Sequence, residues 1–526
     1  MFIFEVDILI LTKKIYYINL FFEKIKIKNI YCFITQIMIT YITNTEENIK
    51  NINNTNTLFV TLTEFKNSEI SELKDIKQQE NITISEFPIF TENKKSLFLN
   101  IAEDISKLDT LDVREKSEKI IKIAKKYCTK NTENIAINFE EKTLSQTLIS
   151  SILDGIHLGE YEFNEYKSNN NSEKLNKNIY IIVKKSENQK NQNIKDIIET
   201  REIIERKAFT KGVKFTKDLI NTPPSIAIPS YIEEKTRELF SNIKNIKISS
   251  ILEKDLKKLG AGGILSVGQA SPDQSRFLII EYTNAEKSKK PIGLVGKGVT
   301  YDTGGLSLKP SNAMTGMKKD MGGAATILGG LYTCAKCEIT ENIVAVIPLA
   351  ENLISEKAYK PDDIVTMMNG KTVEITNTDA EGRLLLGDAM VYIEQTFQPR
   401  VLIDMATLTG ACAYAIGEDI SAVFATTDDL YSQLKTSAKN TDEPIWRLPL
   451  YKKYEKLIES KIADIVNAAT GFKAGTIQAA LFLKNFVKSE TPWAHFDIAY
   501  SSFDKTTNFA TGKDVRLLFD FIKNCK

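Results

Sequence analysis

The chain has 526 residues, more than one hydrophobic core usually serves, so two domains are the natural expectation. Hydrophobic residues make up 42% and charged residues 26%, an ordinary globular composition, and a net charge of +1 gives no reason to expect nucleic acid or an anionic membrane as partner. With two histidines, His157 and His495, there is almost no material for a histidine-rich zinc site or a Ser-His-Asp triad, so any hydrolytic chemistry falls to carboxylates and lysines.

Residues 1–37 are apolar but interrupted by Glu5, Asp7, Lys13 and Lys14. A membrane-spanning helix needs about 20 predominantly apolar residues, and a signal peptide carries positive rather than acidic residues ahead of its apolar core. The segment therefore reads as a non-native or disordered extension, with Met38 as an alternative start. Residues 38–185 read as an N-terminal α/β domain: NTLFVTLTEF and NIYIIVKK have strand character, and SEKIIKIAKKYC is helical. Polar runs at 44–56 and 167–177 read as surface loops. No catalytic signature lies in this half.

A polar stretch at 184–196 leads into IIETREIIERKAFTKGVKFTKDLIN, which Pro223–Pro224 stops. Residues 186–215 are the expected linker helix. Residues 216–526 change texture: the buried-type strands FLIIEY, PIGLVGKG, ENIVAVIPLA and PRVLIDMATL alternate with the helical runs GGAATILGGLYTCAKC and RLLLGDAMVYIEQTF. This is the pattern of an α/β fold with a mostly parallel, helix-flanked sheet, in which ligands bind beyond the carboxyl ends of the strands. Cys32, Cys128, Cys334, Cys337, Cys412 and Cys525 form no framework and suit a reducing compartment; the CxxC pair Cys334 and Cys337 lies within a helical run.

Charged residues gather in two glycine-rich loops at strand ends, one after PIGLVG and one after the hairpin VTMMNGKTVEIT. Lys297, Asp302, Lys309 and Asp320 lie in GKGVTYDTGGLSLKP and MKKDMGG. Asp379, Glu381 and Arg383 lie in NTDAEGRLLLGDA, after a hairpin signalled by Asn369–Gly370. Any one of these charges taken alone reads as a solvated loop residue. Together, carboxylates in glycine-rich loops at strand ends supply the converging oxygens that hard divalent cations require, and four carboxylates would balance two divalent ions.

NTDAEGRLLLGDA resembles the signature of the leucine (cytosol) aminopeptidase family, and VGKGVTYDTGGLSLKP, MKKDMGGAA, DLINTPPS, ATLTGA, WRLPL and WAHFDIA resemble its other segments, over roughly residues 210–520. The resemblance implies a metal-dependent aminopeptidase acting on peptides through two divalent ions, manganese or zinc. Asp302 and Glu381 would bridge the ions, Asp379 would complete one site, and Lys297 with Asp320 the other. Neighbouring divalent charge would favour the neutral amine that Lys297 needs in order to coordinate. Paired ions activate a water and polarise the scissile carbonyl. Lys309 would stabilise the oxyanion, and Arg383 would hold a bicarbonate ion as general base. Met317 would line an apolar pocket favouring Leu and similar residues, with Thr407, Leu408 and Gly410 as the main-chain binding edge. The segment 467–480 departs from the family pattern at Phe472 and Lys473, which bears on side-chain preference. The resemblance also implies a cytoplasmic homohexamer. Two other readings compete: a DNA-binding or regulatory hexamer on the same fold, which requires a basic groove, and a two-metal hydrolase of phosphate esters.

Overall fold

The computed structural model describes residues 200–469 and 473–525 throughout. Before residue 200 it covers 41–42, 60–61, 77–79, 82–88, 95–101, 110–127, 132–139, 146–168 and 178–182. The expected extension at 1–37, and Phe472, lie outside the described residues. The chain divides into two compact units, Met1–Ile203 and Ile204–Lys526. Among the described residues no helix is long and apolar enough to cross a membrane.

The first unit carries a five-stranded sheet in chain order: β1 (Lys77–Gln79), β2 (Ile82–Pro88), β3 (Lys95–Ile101), β4 (Thr132–Phe139) and β5 (Asn178–Ile182). The first three strands run antiparallel, while β3, β4 and β5 are parallel. Parallel neighbours need a crossover, and the helices α1 (Thr110–Tyr127) and α2 (Gln146–Gly159) supply them. Val113, Ile120, Ile121, Ile152 and Ile156 are buried. Of the run NTLFVTLTEF, the described strand is Val60–Thr61, paired in parallel with Tyr41–Ile42.

The second unit opens with α3 (Thr200–Asn221), most of which lies in this unit, followed by α4 (Pro229–Phe240). Its sheet is built from β6 (Ile246–Leu252), β7 (Arg276–Thr283), β8 (Ile292–Gly296), β9 (Gly298–Asp302), β10 (Asn342–Asn352), β11 (Val401–Ala406), β12 (Ser421–Ala425), β13 (Ile445–Arg447) and β14 (Trp493–Asp497). The order is β13-β12-β14-β11-β8-β10-β7-β6, with β9 also paired to β10. The centre, β14-β11-β8-β10, is parallel; β7, β6 and the β12–β14 pairing are antiparallel.

Successive residues of a strand face opposite sides, so a sheet covered on both faces must be apolar throughout. β10 shows this: all its residues are buried, Ile343, Ala345 and Ile347 on one face, Val344 and Val346 on the other. The first face packs against α3, α4, α6 (Gly322–Lys336) and α9 (Val515–Asn524). The second packs against α5 (Gly262–Gly268), α7 (Gly382–Thr396) and α8 (Gly475–Lys484). The Asn369–Gly370 signal forms the expected hairpin, joining Ile364–Thr366 to Thr372–Glu374 with Gly370 at φ 86°. Among the described residues, Cys334, Cys337, Cys412 and Cys525 form no disulfide.

Helices α3 and α6 meet through glycine. A Cβ on Gly329 would lie 2.3 Å from Thr216 Oγ1 and 2.7 Å from the Gly212 carbonyl oxygen. Thr216 is fully buried and donates to the Ala325 carbonyl, 2.8 Å away, so it cannot yield without losing that bond. Gly329→Val should therefore lower the unfolding free energy by about 1–3 kcal/mol, as overpacking does, measured by urea denaturation.

Candidate metal centre

The carboxyl ends of β9 and β11 and the start of α7 converge. Lys297 lies between β8 and β9, its backbone pinned on both sides: its N–H donates to Met405 O (3.0 Å) and its carbonyl accepts from Ala324 N (2.9 Å). Its ammonium lies 2.8 Å from Asp320 Oδ1, 2.8 Å from Glu381 Oε1 and 2.9 Å from the Thr407 carbonyl. Asp302 ends β9, where its Oδ1 accepts from Gly304 N (2.9 Å) and Asn352 Nδ2 (2.8 Å). Lys309 Nζ lies 2.8 Å from Asp302 Oδ2 and also pairs with Asp379. Gly304, at φ 86°, lets the loop turn back beneath Asp379, whose Oδ1 lies 2.9 Å from where a Cβ would project.

The structure thus brings together six of the charged residues singled out in the sequence. Lys297, Asp302, Asp320 and Glu381 are at most 5% exposed. Burial and the Glu381 charge push the Asp302 carboxyl up to about 7, against the pull of Lys309 and Lys297. Asp320 and Asp379 are also raised, in each case mainly by burial and then by neighbouring carboxylates. Glu381 goes the other way: burial would raise it, but Lys297 and Lys309 together hold it below the usual range. Burial works against both lysine charges, yet the surrounding carboxylates outweigh it and raise both.

Arg383, on the first turn of α7, is 7% exposed. One guanidinium nitrogen donates to the Asn467 carbonyl at 2.6 Å, the group lies 6.0 Å from the Phe482 ring centre, and its buried Nε has no hydrogen-bond partner among the described residues. Burial lowers its pKa to about 10, opposed by Glu381 and Asp497, so it stays charged at neutral pH. Thr407 Oγ1 donates to Asp320 Oδ1 at 2.8 Å, tying the segment after β11 to the acidic cluster. Met317 opens the short turn Met317–Met321 that carries Asp320; Leu408 is half-buried and Gly410 exposed. Lys473 is exposed.

Several residues that sequence reasoning missed build the scaffold. Asp497 accepts from Leu408 N and Thr409 N, both at 3.2 Å, and from Thr409 Oγ1 at 2.6 Å, which fixes the 407–410 edge. Asn352 bridges Asp302 to the Thr378 carbonyl, and Tyr359 donates to that same carbonyl at 2.8 Å. Asp497 stood in the quoted run WAHFDIA, the one signal that pointed toward it; Asn352 and Tyr359 carried none.

The donor set suits divalent cations. Asp302, Asp379 and Glu381 each offer an oxygen, all within 4.8 Å of one another. Asp320 Oδ2 and Asp379 Oδ1 lie near ammonium groups but accept no directed hydrogen bond among the described residues. Clustered carboxylate oxygens with lone pairs to spare are what hard cations select.

Fold and site together define a metal-dependent hydrolase. Residues 214–519 match the catalytic domain of the cytosol aminopeptidase family. A probable cytosol aminopeptidase from Pseudomonas fluorescens (strain Pf0-1) is 40% identical over 392 residues, 74% of this chain and 76% of that one. Another, from Phytoplasma australiense, is 40% identical over 350 residues, 65% of this chain and 71% of that one. Among solved structures, the bottromycin maturation enzyme BotP in complex with Mn aligns with a TM-score of 0.69 and 28% identity, covering 79% of this chain and 88% of that one. The chain belongs to the cytosol aminopeptidase family, and it is a metal-dependent aminopeptidase, a hydrolase that removes residues from peptide N-termini.

The Lys297 side chain crosses directly over Gly382, where a Cβ would lie 2.4 Å from Lys297 Cε. Gly382→Ala should displace the ammonium from Asp320 and Glu381 and leave buried carboxylates uncompensated. The expected cost to the metal-free protein is about 3 kcal/mol, read from chemical denaturation.

Proposed function

We propose that Asp302 and Glu381 are shared between two divalent ions, manganese or zinc, with Asp379 completing one site and Lys297 and Asp320 the other. The observation that carries this reading is the convergence of Asp302, Asp379 and Glu381 within 4.8 Å, with Asp320 joined to Glu381 through Lys297. Such ions, when bound, lower the pKa of a water and polarise the scissile carbonyl.

The chain's own residues supply the rest. Lys309 carries an ammonium held charged by Asp302 and Asp379, and a fixed cation at the rim of the cluster is suited to stabilise a developing oxyanion. Arg383 is charged, buried and left with an unused Nε donor, which favours a small planar anion; bicarbonate fits that geometry and would serve as general base. The 407–410 segment, braced by Asp497, would receive the substrate main chain through Thr407, Leu408 and Gly410. Met317, flexible and apolar, would favour Leu and similar N-terminal side chains. In this reading 216–526 is the catalytic domain, 186–215 the linker and 38–185 a separate α/β domain. Assembly as a homohexamer in the cytoplasm rests on the family resemblance alone; light scattering should give the mass of six chains. The nucleic-acid reading has no observation in its favour.

Protein loaded with manganese or zinc should release the N-terminal residue from Leu-peptides and leave N-acetylated peptides intact. Equal rates on free and blocked peptides would contradict recognition of the free amine. Arg383→Ala should lower kcat about 100-fold, the scale of a lost general base, whereas Asp379→Ala should abolish turnover.

A further inference from the structure

Lys319 is a buried ammonium that pairs directly with no carboxylate among the described residues. The residue is 8% exposed, and among the described residues its Nζ makes no hydrogen bond or ion pair. Its near neighbours are aromatic: Nζ lies 5.2 Å from the Tyr500 ring centre and 5.4 Å from that of Phe503. Ring faces attract a cation but do not replace the water it has given up as fully as a carboxylate would. The adjacent Asp320 acts on it through its charge but makes no ion pair with it, and lies instead against Lys297 and Thr407.

The surroundings add positive charge. Lys505 Nζ lies 4.3 Å from the same Tyr500 ring and pairs with Glu418 at 3.5 Å. Lys318, beside Lys319 in the chain, donates to the Asn221 carbonyl at 2.8 Å and pairs with no carboxylate among the described residues. Glu418 is thus the one carboxylate paired with this lysine group among the described residues. The position is also close to the chemistry. Lys319 stands in the turn Met317–Met321 that presents Asp320. A Cβ on Gly322, just after that turn, would face Thr407 and Ser502, and one on Gly410 would lie 3.6 Å from the Tyr500 hydroxyl. The segments 317–322, 407–410 and 500–503 therefore meet, and they enclose Lys319.

We propose that Lys319 is a specificity-determining residue that receives a carboxylate of the peptide substrate. The proposal rests on the reading of 407–410 as the substrate edge. Two parts of a peptide could bring that carboxylate: the free C-terminus of a dipeptide, or an acidic side chain at the N-terminal residue. In either case an ion pair forms where the unbound protein has none, in surroundings where water competes poorly.

The test uses the full-length, metal-loaded protein and two pairs of substrates. Leu-Gly against leucyl-glycinamide isolates the C-terminal carboxylate; glutamyl-p-nitroanilide against glutaminyl-p-nitroanilide isolates the side chain. The expected result is a preference in kcat/KM of about 30-fold for the charged member of one pair. K319M should bring that ratio close to one, and K319R should retain most of it. Which pair discriminates identifies the source of the carboxylate. Turnover of the neutral substrates by both variants verifies that they fold. Ratios near one in both pairs for the wild-type protein, or a preference that survives K319M, overturn the inference while the aminopeptidase reading stands. Failure of the wild-type protein to cleave any of the four substrates overturns that reading, and this inference with it.

Discussion

Four buried or half-buried carboxylates repel one another at the end of one sheet, and two ammonium groups hold them there. Lys297 spans Asp320 and Glu381, while Lys309 spans Asp302 and Asp379. Coulomb repulsion between such groups grows as water is excluded, so neither lysine is incidental to the arrangement. The balance is incomplete. Counted in their ionised forms, four negative charges less two positive ones leave two negative charges uncompensated. Burial first, and repulsion between the carboxylates after it, raise Asp302, Asp320 and Asp379, while the charges of Lys297 and Lys309 hold Glu381 low. A site with this deficit invites divalent cations.

The fold makes the cluster possible by fixing the ends of its strands. β11 and β14 pair in parallel with Asp404 opposite His495 and Leu402 opposite Trp493. Within that ladder the Trp493 indole donates to Asp404 at 2.7 Å and His495 Nδ1 lies 2.6 Å from the same carboxylate, all three side chains fully buried. Burial lowers the His495 pKa, but Asp404 outweighs it and the net shift is upward. His495 thus braces the sheet through Asp404. A few residues further along the same strands come Thr407 and Asp497, whose hydrogen bonds fix the 407–410 segment beside the acidic cluster. Rigid strands beneath a site hold its side chains better than loops alone would.

Much of this was legible in the sequence. Apolar runs bounded by glycine and proline marked β7, β8, β10 and β11, because a strand buried on both faces has little choice of composition. The charges at 297, 302, 309, 320, 379 and 381 stood out because glycine-rich loops offered no periodic reason for them. Asp497 and Asn352 were harder: each acts by hydrogen-bonding a segment distant in sequence, which no local pattern encodes. Lys319 was hidden for a different reason. In MKKDMGG it reads as one more solvated lysine, and only the packing of Tyr500 and Phe503 against it reveals that it is buried. Gly382 shows the same limit, since its need for a bare Cα arises from the Lys297 side chain crossing it.

The two divalent ions proposed for each chain would meet the charge deficit at this cluster. Equilibrium dialysis against manganese, followed by elemental analysis of the protein, measures this directly. Two ions per chain are expected in the wild-type protein, and a loss of tight binding in Glu381→Ala, which removes the carboxylate proposed to serve both positions. One ion per chain at saturation, or two ions retained after Glu381→Ala, would contradict the two-ion site.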